Sequence, residues 1–202
     1  MAPVDARCAT GLTVVLVGPE SSGKTTLASQ LAAHYRAPWV AEVARDYLRD
    51  RAAGQAQAGG QADYDAADLE HIARAQLDAE HHLRATHPDL LILDTDLLVI
   101  DIWWRERFGR PPDWLIESLQ HAAREPRRRY LLCSPDLPWE PDPLRENPQD
   151  RQRLYERYQR RLTDLGAIYR VNSGAGAGRS VAAISAIDGW LGAASDRQTD
   201  PN

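Results

Sequence analysis

Gly18-Pro19-Glu20-Ser21-Ser22-Gly23-Lys24-Thr25-Thr26 fits the spacing G-x-x-x-x-G-K-[ST] of a phosphate-binding P-loop. The chemistry this spacing serves is anion capture. Glycines let backbone N–H groups close round a phosphate, and the following helix turns its positive end toward it. Gly18, Glu20, Ser21, Ser22, Gly23, Lys24, Thr25 and Thr26 are therefore the expected contacts to the phosphates of ATP, with the Thr25 hydroxyl on Mg²⁺. Lys24 is also read as catalytic. It is the only lysine among 24 Lys+Arg. A bias that strong would have converted this position too, unless the site needs a compact ammonium on a flexible stem, which reaches between phosphates where a planar guanidinium is too bulky.

Other residues complete such a site. Asp94 ends an apolar run, where a carboxylate that holds Mg²⁺ would lie; the same place suits a strand-end turn residue. Glu42 follows a short apolar segment and can accept a proton from an acceptor hydroxyl. Its position is equally good for a carboxylate at a helix N-terminus. Arg45, one helical turn on, suits acceptor or phosphate oxygens and, equally, a solvated helix face. Arg145 lies in a proline-rich segment that is placed to close over the phosphates, where phosphoryl transfer needs positive charge. Arg151 either shares that task on ATP or simply starts a helix. Trp39, Tyr47, Tyr64, Trp103, Trp104 and Trp139 fall near the same rim, most as packing and one or two as platforms for a flat ring.

The elements that must position these groups follow from periodicity. Residues 1–11 read as a flexible lead-in. Strands are expected at 12–17, 39–41, 90–93, 130–133 and 168–171, and helices at 23–36, from 42, 64–84, from 97, 113–124, 149–165 and 179–192. Asp96 suits the N-cap of the helix from 97. His71, His81 and His82 read as surface residues of the long helix. The Gly-, Gln- and Ala-rich stretch 52–63 reads as a mobile loop, and Arg127-Arg128-Arg129 as a solvated edge before the fourth strand. Residues 134–150 carry Pro135, Pro138, Pro141, Pro143 and Pro148, which exclude helix over most of the segment and mark it as a lid loop. Residues 193–202 read as a disordered tail. Strands alternating with helices give one α/β domain over 12–192: a three-layer sandwich on a five-stranded parallel sheet, with ligand groups gathered at the strand C-termini.

Composition narrows the partners. A net charge of -5 argues against broad nucleic-acid or membrane-surface binding. No apolar run approaches the roughly 20 residues that span a bilayer, and no signal-peptide pattern opens the chain. Cys8 and Cys133 are isolated, which suits a reducing compartment, the cytoplasm. A GTPase is excluded because its base-reading N/T-K-x-D motif needs a second lysine. Thr95, rather than Glu, follows Asp94, which weakens an ATPase. A kinase of a small acceptor fits best; a non-catalytic ATP-binding regulatory module is the rival from another class.

The ordered set G-P-E-S-S-G-K-T-T, W-V-A-E-V-A-R-D-Y, L-I-L-D-T-D and P-D-L-P-W-E-P-D-P-L-R-E-N resembles the kinase domain of NadR-type proteins, P-loop nicotinamide riboside kinases. The resemblance runs from about Leu12 to Trp190. It implies ATP- and Mg²⁺-dependent phosphorylation of the 5′-hydroxyl of nicotinamide riboside, or a similar nucleoside, to the mononucleotide in NAD salvage. By matching motif it places Lys24 and Thr25 on ATP and Mg²⁺. It places Glu42, Arg45, Asp94 and Asp96 around acceptor and metal, and Arg145 in the lid. Tyr47, Trp103 and Trp139 are the aromatic candidates for the acceptor, whose cationic pyridinium would be drawn to an aromatic face. Longer members carry an H-x-G-H nucleotidyltransferase signature that none of the six histidines forms, so adenylylation of the product is not expected.

Overall fold

The computed structural model describes residues 11–57, 64–86, 89–140 and 149–195. In chain order these form β1 (Leu12–Val17), α1 (Lys24–Tyr35), β2 (Trp39–Val40), α2 (Val43–Gln57), α3 (Ala66–Thr86) and β3 (Leu90–Asp94). They continue as α4 (Leu97–Arg107), α5 (Asp113–Ala123), β4 (Arg128–Cys133), α6 (Arg151–Asp164), β5 (Tyr169–Asn172) and α7 (Gly176–Ser195). The strands make one all-parallel sheet in the order β2-β3-β1-β4-β5, as the strand–helix alternation predicts.

Alternate side chains of the central strands feed two cores. Val15, Val17, Leu91, Leu93, Tyr130 and Leu132 face α2 to α6, while Val14, Leu16, Leu90, Ile92, Leu131 and Cys133 face α1 and α7. β1 is buried along its whole length, which explains its unbroken apolar sequence. Its C-terminal end therefore delivers the P-loop from the most enclosed part of the molecule.

Three sequence expectations are corrected. The stretch expected as a loop from Ala52 is helical as far as Gln57, because alanine and glutamine sustain a helix through Gly54 at a cost near 1 kcal/mol; residues 58–63 lie outside the described residues. α7 runs to Ser195, so the expected tail loses its first three residues. The arginine triplet is no solvated edge: Arg128 and Arg129 belong to β4 and are 2% and 7% exposed. Arg128 donates to Glu80 of α3 at 2.6 and 3.2 Å and to Asp96 at 2.8 Å, and Tyr130 also donates to Asp96. Three arginines in a row resemble a surface by composition alone. Their burial depends on two carboxylates distant in sequence. His71, His81 and His82 are exposed, as expected.

Candidate functional site

The P-loop links the end of β1 to α1 through residues only glycine can supply. Gly18 has φ +142°, and a Cβ there would meet the Cys133 carbonyl oxygen at 2.5 Å. Gly23, left-handed at the N-cap of α1, would drive a Cβ to 2.7 Å from Leu137. Ser21 between them is also left-handed (φ 52°), a conformation that costs a residue with a Cβ something. The loop is braced internally by Ser22, whose hydroxyl donates to the Pro19 carbonyl at 2.7 Å. Lys24 folds back, its Nζ donating to the carbonyls of Gly18 (2.9 Å) and Pro19 (3.0 Å). No acidic side chain sits in the first turn of α1, so the helix end keeps its positive potential for an anion.

Two arginines from late in the chain hold the loop from outside. Arg151, at the start of α6, donates to the carbonyls of Glu20, Ser21 and Leu137. Arg179 of α7 donates to the carbonyls of Ser22, Ser134 and Gly174 and to Asp136. The Ser21 hydroxyl meets the Glu140 backbone, a further tie to the segment after β4.

Asp94 closes β3, in register with Leu16 of β1. It is 0% exposed, and neither carboxylate oxygen has a hydrogen-bond partner among the described residues. Burial pushes its pKa up, an effect opposed by the adjoining Thr25 hydroxyl and by the charges of Lys24 and Arg45. A buried carboxylate with spare lone pairs beside a threonine hydroxyl is a donor set for a hard cation. Among the described residues no group of three or more His, Cys, Asp or Glu could hold a metal unaided, so remaining ligands would have to be phosphate oxygens or water.

Glu42 lies between β2 and α2. Burial raises its carboxyl pKa, Lys24 pulls it down, Asp94 pushes it up, and Arg45 pulls it down, with the Arg45 Nε 3.7 Å from the carboxylate. Gln76 of α3 links these two acidic corners: its Oε1 accepts from Val43 N at 3.1 Å and its Nε2 donates to the Thr95 carbonyl at 3.5 Å.

One cavity of about 820 Å³ joins these parts. The P-loop from Gly18 to Thr26 lines it, with Gln30, Leu137, Gly176 and Arg179. Glu42 and Arg45 line the same cavity, as do Tyr64, Trp103, Glu106 and Tyr158. The volume lies within the range of ordinary ligand clefts, toward its upper limit.

The sequence-derived residues thus divide. Glu42, Arg45 and Trp103 reach the cavity with the P-loop. Asp94 stands beside Thr25 without lining it. Asp96 is committed elsewhere: one oxygen caps α4 by accepting from Leu98 N at 2.9 Å, and the other takes Arg128 and Tyr130. Tyr47 donates to Asp68 at 2.6 Å and does not line the cavity. Nor does Trp139, which stacks under the Arg151 guanidinium at 6.0 Å. Arg151 itself braces the P-loop backbone. Trp104 is core on one face of the sheet, and Trp39 packs against the other core. Arg145, like the rest of 141–148, lies outside the described residues.

Sequence reasoning missed Arg179, Tyr158 and Gln76. The glycine-rich lead-in Gly174-Ala175-Gly176-Ala177-Gly178 was a usable signal for Arg179, because it lets a helix start close to another loop. Tyr158 sits in the apolar stripe of α6 with Leu154 and Leu162 and reads from spacing as core alone.

A family model described as an AAA domain matches residues 13–179. Among solved structures, a NadR protein in complex with NR superposes with a TM-score of 0.71 at 24% identity, covering 92% of this chain and 53% of that one. A NadR protein in complex with NAD and AMP-PNP gives 0.64 at 21% identity, covering 91% and 50%. Deoxyadenosine kinase from M. mycoides, with products dCMP and dCDP bound, gives 0.54 at 7% identity, covering 88% and 100%. The chain spans about half the length of the NadR chains it matches. These likenesses show a shared fold, the P-loop kinase-like α/β sandwich.

Proposed function

The chain belongs to the AAA domain family, and on that premise we propose that it is an ATP-dependent kinase that phosphorylates the 5′-hydroxyl of nicotinamide riboside. The observation that carries this reading is the continuity of the cavity. A phosphate cradle, Glu42, Arg45 and the aromatic side chains of Tyr64, Trp103 and Tyr158 line one space. A nucleotide sensor needs only the cradle. The NadR complex with NR, on the same fold, supports the choice of acceptor.

In this reading the P-loop amides and Lys24 hold the ATP phosphates, Lys24 leaving the Gly18 and Pro19 carbonyls to do so. Thr25 and Asp94 would hold Mg²⁺, which supplies charge neutralisation for the transferring phosphoryl group. Glu42 accepts the acceptor's proton; its burial keeps the carboxylate basic enough to take it. Arg45 orients the acceptor or the phosphate, and Arg145 supplies lid charge. Arg151 keeps the P-loop carbonyls turned outward, so that the amides face the phosphates. In this reading residues 12–195, to the end of α7, act as one kinase domain, and the protein works in the cytoplasm. No helix among the described residues is long and apolar enough to cross a membrane.

The test is ADP release with ATP, Mg²⁺ and a nucleoside panel that includes nicotinamide riboside. Riboside-dependent ADP release with formation of the mononucleotide is expected. Folded, ATP-binding protein that releases no ADP with the riboside refutes the acceptor assignment.

A further inference from the structure

The cavity already contains a cation beside its aromatic side chains. Arg107, in the last turn of α4, lines it and carries its guanidinium 4.2 Å above the ring centroid of Tyr64 and 5.7 Å from that of Phe108. Tyr64 in turn lies 6.3 Å from Trp103, tilted by 35°, so the two rings form one aromatic wall. Glu106, on the same wall, is bound by Arg153 at 3.0 and 2.9 Å and also by Arg157. Arg107 is exposed, and Tyr64 is half-buried.

We propose that Arg107 is a specificity-determining placeholder: it occupies the aromatic face of Tyr64, and an acceptor must displace it to stack there. The inference rests on the assignment of these aromatic side chains to the acceptor. A cationic ring regains the cation–π attraction that the guanidinium gives up, whereas a neutral ring does not. The displaced guanidinium stays tethered nearby and repels a cationic ring alone. Arg107 thus lowers the affinity of every stacking ligand through the displacement step, and by added repulsion it narrows the preference for a cationic ring that the bare face of Tyr64 would give.

The experiment uses two probes that share a ring and differ in charge, 1-methylnicotinamide (cationic) and nicotinamide (neutral). Calorimetric titration of the wild type, Arg107→Gln and Arg107→Met gives their affinities, with a thermal melt to confirm folding. Because Arg107 is exposed, both variants are expected to fold. The cation should bind about five- to tenfold more tightly to both variants than to the wild type, because both the displacement step and the repulsion by the tethered guanidinium are removed. The neutral ring should gain only about two- to threefold, since it is relieved of the displacement step alone. Adding Tyr64→Leu to Arg107→Gln should abolish the cation's gain. Equal gains for both probes, loss of cation binding in the variants, or no cation binding by any of the proteins overturns the proposal. The acceptor assignment fails separately, on ADP release, which these titrations do not measure.

Discussion

Arg128→Met tests whether the buried charges under α4 hold the site's framework. Arg128 makes charge-assisted bonds to Glu80 at 2.6 and 3.2 Å and to Asp96 at 2.8 Å, all three groups being buried. Each such bond, when its partner is left behind, is worth about 1.5–3 kcal/mol. The full sum is not lost. Glu80 keeps Arg84 at 3.2 Å, and Asp96 keeps the Tyr130 hydroxyl and the Leu98 amide. A net loss of about 3–5 kcal/mol is expected, typical of a buried pair deprived of one member. For a chain of this length that lowers Tm by about 6–20 °C. Urea unfolding followed by circular dichroism, with calorimetry for Tm, measures it. Arg128→Met/Glu80→Gln should recover part of the loss, because it removes one stranded charge. The pH dependence gives a second check. Burial would raise the Glu80 pKa, but Arg128 and Arg84 outweigh it and hold it below the usual carboxylate value. That contribution is present above the ordinary glutamate pKa and is lost as pH falls through the depressed one. The gap between wild type and variant should therefore narrow on acidification. A loss under about 1 kcal/mol at neutral pH, or a gap that widens in acid, refutes the reasoning.

Glu42→Gln should leave ATP binding intact and reduce kcat by about 10²–10⁴-fold; in the wild type, kcat should fall as pH drops through a Glu42 pKa held above the ordinary value by burial. Unchanged turnover in single-turnover assays would remove Glu42 from the proton-transfer role. Lys24→Arg should preserve charge yet abolish phosphoryl transfer, as rapid-quench measurement of ADP would show, because the guanidinium cannot thread between the phosphates. Asp94→Asn should abolish Mg²⁺-dependent transfer while stabilising the metal-free protein. Its pKa is raised by burial, so the native state carries the full penalty of an ionised carboxylate at neutral pH, and the amide removes about 1–2 kcal/mol of it. A lower Tm for the variant in chelator would contradict this.

Much of the frame was legible because it depends on neighbours in sequence. The apolar runs at β1 and β3, the glycine spacing of the P-loop and the placement of Glu42 after β2 are local signals, and parallel topology brings their ends together without further information. What stayed hidden depends on pairing across the fold. Arg128 looks solvated until Glu80 and Asp96 are placed beside it. Asp96 looks like a site carboxylate until its oxygens are seen in use by Leu98, Arg128 and Tyr130. Arg151 looks like a contact to ATP, yet its bonds run to carbonyls of the loop itself. Helix extent from Ala52 to Gln57 was missed because alanine and glutamine carry no periodic pattern.

The two arginines behind the P-loop also set when the nucleotide site can come into being. Arg151 and Arg179 reach Ser21 and Ser22 across 130 and 157 residues of chain. A nascent polypeptide that has emerged only through β4 possesses the whole glycine-lysine signature and its flanking strand. It lacks the guanidinium groups that fix the loop's carbonyls. Such long-range closures form late, after their chain entropy can be met by the packed sheet. Synthesis of α6 and α7 is therefore the event that turns a matching sequence into a shaped anion receptor, and nucleotide binding during translation would report that these last helices have docked.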